Sequence, residues 1–154
     1  MPKTVEKKPK KEVQKSKTHR VEFLQWQATR VLEQVLENIL TPYQISLSEW
    51  RLLGLIREQG ELQATEIALT MGVKLPLITR HIGSLKRKKW LTVLHHAKDR
   101  RIKRILLSPI GREKLQAMEK EMSKSFQKSF RSVTKEEIEG YRSVLTKIVF
   151  NGRC

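Results

Sequence analysis

Cysteine is nearly absent from this sequence, and long apolar runs are missing altogether. The one cysteine is the terminal Cys154, so the chain has no internal disulfide and no cysteine-based zinc site. That thiol is either inert or a crosslink between two chains. No apolar stretch approaches the ~20 residues that cross a bilayer, and the lysine-rich start leads to no signal-peptide core. We therefore expect a cytoplasmic protein without a membrane partner.

Acidic residues are scarce, since 16 Asp and Glu face 32 Lys and Arg, for a net charge of +16. The imbalance is confined to two segments. Residues 1–20 hold eight basic and two acidic side chains, residues 74–104 hold eleven and one, and the remainder is neutral. Charge concentrated in this way is typical of a protein that binds a polyanion such as DNA. A basic run can also be a solvated surface, but such one-sided clustering argues against that reading.

Aromatic residues make up only 6% of the chain, and Trp90 alone interrupts the basic segment, which disfavours stacking on single-stranded RNA. The sequence also lacks a nucleophile-base pair and a phosphate-binding loop. Its four histidines are scattered, and the adjacent His95 and His96 would point to opposite faces of a strand. Asp99, among arginines, would be held ionised, which suits structure better than proton transfer. We expect no enzyme, no metal and no cofactor.

Hydrophobic periodicity predicts a mainly α-helical chain with one small β-hairpin. Residues 1–18 have little to bury and are predicted to be a disordered basic arm, which either lies along phosphates or only aids solubility. The local boundary signals are the Thr41-Pro42 stop, the Ser48 cap, the Gly60 end, the Ser108-Pro109 start and the Thr134 to Glu137 capping box. The predicted helices cover 19–40, Ser48 to Gly60, 64–71 and 75–89 and begin again after Ser108 and Thr134, with strands at 91–95 and 102–107.

Two consecutive helices, joined by a tight turn at Gly72, form a helix-turn-helix arrangement. On the second of them Ile78, Ile82 and Leu85 share one face that can close onto a core, which leaves the opposite face free. A basic helix of this size fits the major groove of DNA. We expect its first turn to enter the groove, with free backbone amides directed at a phosphate.

Three stretches carry a resemblance to a known family. They are LSEWRLLGLI at 47–56, TEIALTMGVKLPLITRHIGSL at 65–85, and Asp99-Arg100-Arg101 followed by Ile105, Leu107-Ser108 and Gly111. In this combination the chain resembles the MarR family of winged helix-turn-helix transcriptional regulators over 46–111, and its flanking helices match by position only. It departs from the family at Lys89, where a glycine is common, and at Val93, where an arginine is frequent.

The resemblance implies a winged helix-turn-helix lobe over 46–107, flanked by dimerisation helices over 19–42 and 108–150. It further implies a homodimeric repressor on a pseudo-palindromic operator in double-stranded DNA. A two-fold dimer on B-DNA would place its half-sites about 34 Å apart. The residues independently favour a dimer, because the flanking helices carry wide apolar stripes that a monomer would leave partly wet.

Chemistry assigns roles within the basic segment. Arg80 and Arg87 can pair bidentately with guanine, and Gly83 would permit close approach. By resemblance, Arg101 would enter the minor groove, oriented by Asp99, which is otherwise a simple turn residue. The predicted DNA-binding set is Pro76, Thr79, Arg80, Gly83, Ser84, Lys86, Arg87, Lys88, Lys98, Asp99, Arg100, Arg101, Lys103 and Arg104.

An effector is the least determined feature. Members of the family often release DNA on binding a small aromatic compound, and Trp26, Tyr43 and Trp50 either line such a pocket or belong to the core. Cysteine-based sensing is disfavoured because no cysteine lies near the first helices. The alternative function is a constitutive architectural or accessory DNA-binding protein, with no effector and with sequence-tolerant coating of DNA.

Overall fold

The computed structural model describes residues 11–95 and 102–152, with side chains described from Arg20 onward. Its elements are α1 (Lys11–Leu40), a 3-10 turn (Thr41–Tyr43), α2 (Leu47–Gln59), α3 (Ala64–Met71), α4 (Leu75–Arg87), β1 (Leu91–His95), β2 (Lys103–Leu107), α5 (Pro109–Ser129) and α6 (Lys135–Asn151). The predicted class, mainly α with a small β-hairpin, is confirmed. The chain divides into two compact units, Met1–Leu47 and Ser48–Cys154.

In the first unit, α1 begins at Lys11, eight residues before the predicted start at His19, so it overlaps the predicted arm over residues 11–18. This segment is rich in Lys, Glu and Gln, which favour helix, and it contains no glycine or proline. A helix nucleated further along the chain therefore extends back through it at little cost. At its other end α1 stops at Leu40, as predicted, and the chain turns through Pro42.

Helix α2 begins at Leu47, the last residue of the first unit, and its other residues belong to the second unit. Ser48 therefore lies inside the helix, and its prediction as the cap was wrong. Ser46 occupies the position just before the helix, and two serines so close together offer equivalent local signals for a helix start. The end was predicted correctly: Gly60 has φ +84°, and its amide donates to the Ile56 carbonyl at 2.8 Å.

The core of the second unit draws on every element from α2 to α5. Fully buried side chains are contributed by Leu52, Leu53, Ile56, Ile67, Ile78, Leu85, Ile105, Leu115 and Met118. Burial of each large aliphatic side chain stabilises the fold by about 1.5–3 kcal/mol. Of the three residues predicted to face inward from α4, Ile78 and Leu85 are buried and Ile82 is half-buried.

The β-hairpin is antiparallel, with Leu91 opposite Leu107 and His95 opposite Lys103. Leu62, in the loop between α2 and α3, adds an isolated antiparallel bridge to Ile105. Its amide donates to the Ile105 carbonyl at 3.0 Å, and its carbonyl accepts from the Ile105 amide at 2.8 Å. The base of the hairpin is thereby fixed to the loop that precedes the helix-turn-helix.

The exit of α4 and the entrance of α5 are held together by backbone contacts. The Trp90 amide donates to the Leu85 carbonyl at 2.9 Å, which closes α4 with Lys89 in the left-handed region at φ +63°. The Ser108 hydroxyl donates to the Lys89 carbonyl at 2.6 Å and accepts from the Gly111 amide at 2.9 Å. A side-chain carbon at Gly111 would overlap the Trp90 carbonyl oxygen. Ser108 and Gly111, which belong to the third of the stretches that carry the family resemblance, therefore pack the start of α5 against the end of α4.

The last helix begins at the predicted capping box. The Thr134 amide donates to the Glu137 carboxylate at 2.8 Å, and the Glu137 amide donates to the Thr134 hydroxyl at 3.2 Å. None of the 17 residues of α6, all within the described part of the chain, is buried. Across the described residues, every helix is too short or too polar to span a bilayer.

Candidate nucleic-acid interface

The outer flank of α4 is uncovered, as the sequence predicts. Ile78 and Leu85 anchor the opposite flank in the core, so the helix presents its polar side outward. The exposed predicted residues are Pro76, Thr79, Arg80, Lys86 and Arg87, and the half-buried ones are Gly83, Ser84 and Lys88. No acidic side chain occurs in the first turn of α4, and its last turn carries Lys86 and Arg87. The exposed charge on this helix is therefore entirely positive.

Arg80 and Arg87 lie seven residues apart on this flank, so they share one face about 10.5 Å apart along the helix axis. The Arg87 guanidinium passes Gly83, where an added side-chain carbon would lie 3.8 Å from Nη1. That separation is an ordinary van der Waals contact, so Gly83 is not required by packing within the chain. Its missing side chain instead leaves the helix backbone open to a close ligand.

The first turn of α4 differs from the prediction in its backbone. Pro76 has no N–H, and the amides of Leu77 and Ile78 donate to the Lys74 carbonyl at 3.1 and 3.4 Å. Proline in the first turn and this tight closure leave few amides to hold a phosphate. Fewer amides than at a usual helix start are therefore available, and the expected contact between this turn and a phosphate stays a prediction.

Leu75 belongs to this surface although sequence reasoning passed over it. Its side chain is 41% exposed at the first helical position, beside the exposed Pro76. A leucine at the start of a periodic segment suggests core. The signal that identifies it is its spacing, because Leu75, Thr79 and Gly83 recur every four residues along one row of the outer flank.

The hairpin contributes two of the predicted cations to the described structure. Lys103 is exposed, and Arg104 is partly exposed with its guanidinium 3.5 Å from the Glu66 carboxylate of α3. The predicted Lys98, Asp99, Arg100 and Arg101 lie outside the described residues, as does His96. Their roles at the hairpin tip stay predictions.

A basic groove-sized helix beside a basic hairpin agrees with the family comparison. A model described as the MarR family matches residues 45–103, which contain α2, α3, α4 and β1. The lobe over residues 45–103 is therefore similar to the MarR family, whose members are DNA-binding transcriptional regulators and not enzymes.

Individual relatives extend the likeness beyond the matched lobe. The HTH-type transcriptional repressor IacR of Pseudomonas putida is 23% identical over 118 residues, covering 77% of this chain and 71% of IacR. The HTH-type transcriptional regulator YpoP of Bacillus subtilis (strain 168) is 28% identical over 121 residues, covering 77% and 86%. A mutant MarR from E. coli, solved with operator DNA, superposes with a TM-score of 0.71 at 20% identity, covering 84% and 93%. This last likeness is one of fold, and at 84% of the chain it extends beyond residues 45–103.

The aromatic residues predicted for an effector pocket are distributed over both units. Trp26 and Tyr43 lie in the first unit, where Trp26 is 55% exposed and pairs with Phe23 at a ring-centroid distance of 5.7 Å. Trp50 lines a cavity of about 400 Å³ in the second unit, together with Arg51, Gly54, Leu55, Arg57, Glu58, Thr70, Met71, Leu115 and Glu119. Arg57 and Glu119 form an ion pair beside this cavity.

Two further predictions concern metal binding and the single cysteine. No three His, Cys, Asp or Glu side chains among those residues gather as a metal site requires. Cys154, predicted to be either inert or an interchain crosslink, lies outside the described residues.

Proposed function

We propose that this protein is a dimeric, sequence-specific MarR-family repressor of a pseudo-palindromic operator, working in the cytoplasm with its DNA. Helix α4 enters the major groove, and the hairpin tip follows the adjacent minor groove through Arg101 and Asp99. The observation that carries the proposal is the uncovered flank of α4, on which Arg80 and Arg87 share one face. Guanidinium groups so placed can each pair with a guanine edge, while Lys86 and Lys103 neutralise phosphates.

The second copy is supported by apolar surface that one chain leaves exposed. Along α6, the exposed side chains include Tyr141, Val144, Ile148, Val149 and Phe150. A groove of about 600 Å³ in the same unit is lined almost wholly by carbon, from Phe130, Ile138, Tyr141, Leu145 and Val149 with Arg142 and Thr146. Contiguous apolar surface of this kind is rare on monomeric proteins and typical of the core of a homodimer interface.

The long first helix shows the same property in the first unit. Val21, Leu24 and Val31 fall on one stripe of α1, and each is more than half exposed. An amphipathic helix with an uncovered apolar stripe is stabilised mainly by a partner rather than by its own propensity. We place this stripe, with α6, in the dimer interface.

A small aromatic effector is the ligand that this proposal assigns to the cavity beside Trp50. The cavity has the size of a small-molecule site and combines an indole face with charged groups at its edge. The Trp50 Nε1 donor is itself buried and has no hydrogen-bond partner among the described residues.

The decisive experiment selects bound fragments from random duplex DNA and footprints the best of them at two salt concentrations. A sequence-specific regulator keeps a discrete, two-fold protected site as salt rises. An architectural coating protein, the alternative, loses all protection together.

Alanine substitution tests the assigned base contacts on the selected site. We expect Arg80→Ala and Arg87→Ala each to weaken binding by about 1–3 kcal/mol, with relaxed specificity at one base pair per half-site. Arg131→Ala removes the same charge from the exposed turn before α6 and serves as the control. Equal losses for all three variants would contradict base recognition by α4.

A further inference from the structure

The first turn of α4 presents carbon rather than polar atoms. Leu75 is 41% exposed at the first helical position, and the exposed Pro76 follows it. Neither side chain can form a hydrogen bond, and Pro76 also lacks a backbone donor. The next two amides donate to the Lys74 carbonyl, so the surface formed by Leu75 and Pro76 offers little to a polar base edge.

Thr79 extends the same surface, although its side chain is formally polar. Its hydroxyl donates to the Leu75 carbonyl at 3.1 Å, one turn back along the helix. This bond occupies the hydroxyl proton and fixes the side-chain rotamer, so the γ-methyl group is the free end of the residue. Leu75, Pro76 and Thr79 thus form an apolar edge ahead of Arg80.

We propose that this apolar edge recognises the 5-methyl group of thymine, with Leu75 as the principal contact. The inference rests on the proposed entry of α4 into the major groove and adds a base preference to it. The thymine methyl is the apolar group that distinguishes one base edge from the others in that groove. A leucine already half-packed in the fold and a rigid proline lose little conformational freedom on binding, which favours such contacts.

The spacing along α4 locates that thymine. Leu75 precedes Arg80 by five residues, a rise of about 7.5 Å along the helix axis. Base pairs stack about 3.4 Å apart, so the thymine lies within about two base pairs of the guanine that Arg80 contacts. A two-fold dimer repeats the pair in each half-site.

Replacing thymine by deoxyuracil in the selected operator removes the methyl group and keeps base pairing intact. We expect one thymine per half-site, near the Arg80 guanine, at which deoxyuracil weakens binding of the unaltered protein about fourfold, the effect of one buried methyl-sized group. This measurement uses the natural chain and does not depend on the folding of a variant. If every thymine tolerates deoxyuracil, the proposal is overturned.

Leu75→Ala then tests which side chain makes the contact. We expect this variant to bind the thymine operator at least about fourfold more weakly than the natural chain does. Replacing that thymine by deoxyuracil should then cause no further loss of affinity. Ile110→Ala, which trims an equally exposed residue (44%) on α5, keeps the full deoxyuracil penalty. If deoxyuracil weakens binding of Leu75→Ala as much as it weakens binding of the natural chain, Leu75 does not contact the methyl group. The proposed function fails separately, if no discrete operator is selected or Arg80→Ala has no effect.

Discussion

At the scale of single residues, Lys89 shows where this chain departs from the family that it resembles and what the departure costs. The position ends α4 in the left-handed region, at φ +63°, where the family commonly has glycine. A lysine there carries about 1–2 kcal/mol of conformational strain. The strain persists because the Trp90 amide, the Ser108 hydroxyl and the buried Trp90 side chain all require this turn.

Lys89→Gly should therefore raise the free energy of unfolding, by about 0.5–1 kcal/mol after the entropy of glycine in the unfolded chain is counted. Urea unfolding followed by circular dichroism measures the change. Lys88→Gly is the matched control, because it removes the same charge at φ −74°, where glycine relieves nothing. Stabilisation by both substitutions, or by neither, would argue against strain at Lys89.

At the scale of elements, one carboxylate joins the helix-turn-helix to the hairpin. The Glu66 carboxylate accepts a hydrogen bond from the backbone amide of Gln63 at 2.6 Å, at the start of α3. It also lies 3.5 Å from the Arg104 guanidinium of β2. Both partners are partly exposed, so the ion pair itself adds at most about 1 kcal/mol to stability. Its larger consequence is electrostatic, since Glu66 competes with DNA phosphates for Arg104.

We expect Glu66→Gln to keep the hydrogen bond to the Gln63 amide and to free Arg104 for a phosphate. Operator affinity at low salt should rise, and the slope of log affinity against log salt should steepen by up to about one. Titrations at several salt concentrations measure both quantities. Glu61→Gln, an equal charge change at an exposed loop position, controls for net charge. Identical slopes for the two variants would mean that Glu66 does not restrain Arg104.

At the scale of the whole molecule, a single chain carries one copy of α4 and leaves apolar surface on α6 exposed. Helix α6 has no buried residue, and six of its large apolar side chains are at least 40% exposed. Burial of such a surface against a second copy would supply the interface, and two copies of α4 would double the contacts with DNA. Dimerisation and operator binding are therefore expected to fail together.

Ile148→Asp places a charge in the proposed interface and should yield monomers at micromolar concentrations. Sedimentation velocity measures the assembly state, and footprinting of the same sample should show a weakened or single half-site. Ser143→Asp adds the same charge on the opposite face of α6 and should remain dimeric. A dimeric Ile148→Asp variant would exclude α6 from the interface.

Much of this architecture was determined by the sequence itself, because the signals concerned are local. The capping box at Thr134, the Ser108 cap and the stop at Pro42 act within about four residues, so their helix boundaries were predicted correctly. Helical periodicity likewise placed Arg80 and Arg87 on the outer flank of α4, since Ile78 and Leu85 had to face the core.

Tertiary structure alone decided the features that depend on residues far apart in the chain. The left-handed turn at Lys89 is imposed by contacts with Ser108, and Arg104 is paired by a carboxylate on a different helix. The exposure of Leu75 follows from which flank of α4 the core of the second unit covers. Local sequence patterns do not predict such contacts, because chain folding, rather than sequence spacing, brings these groups together.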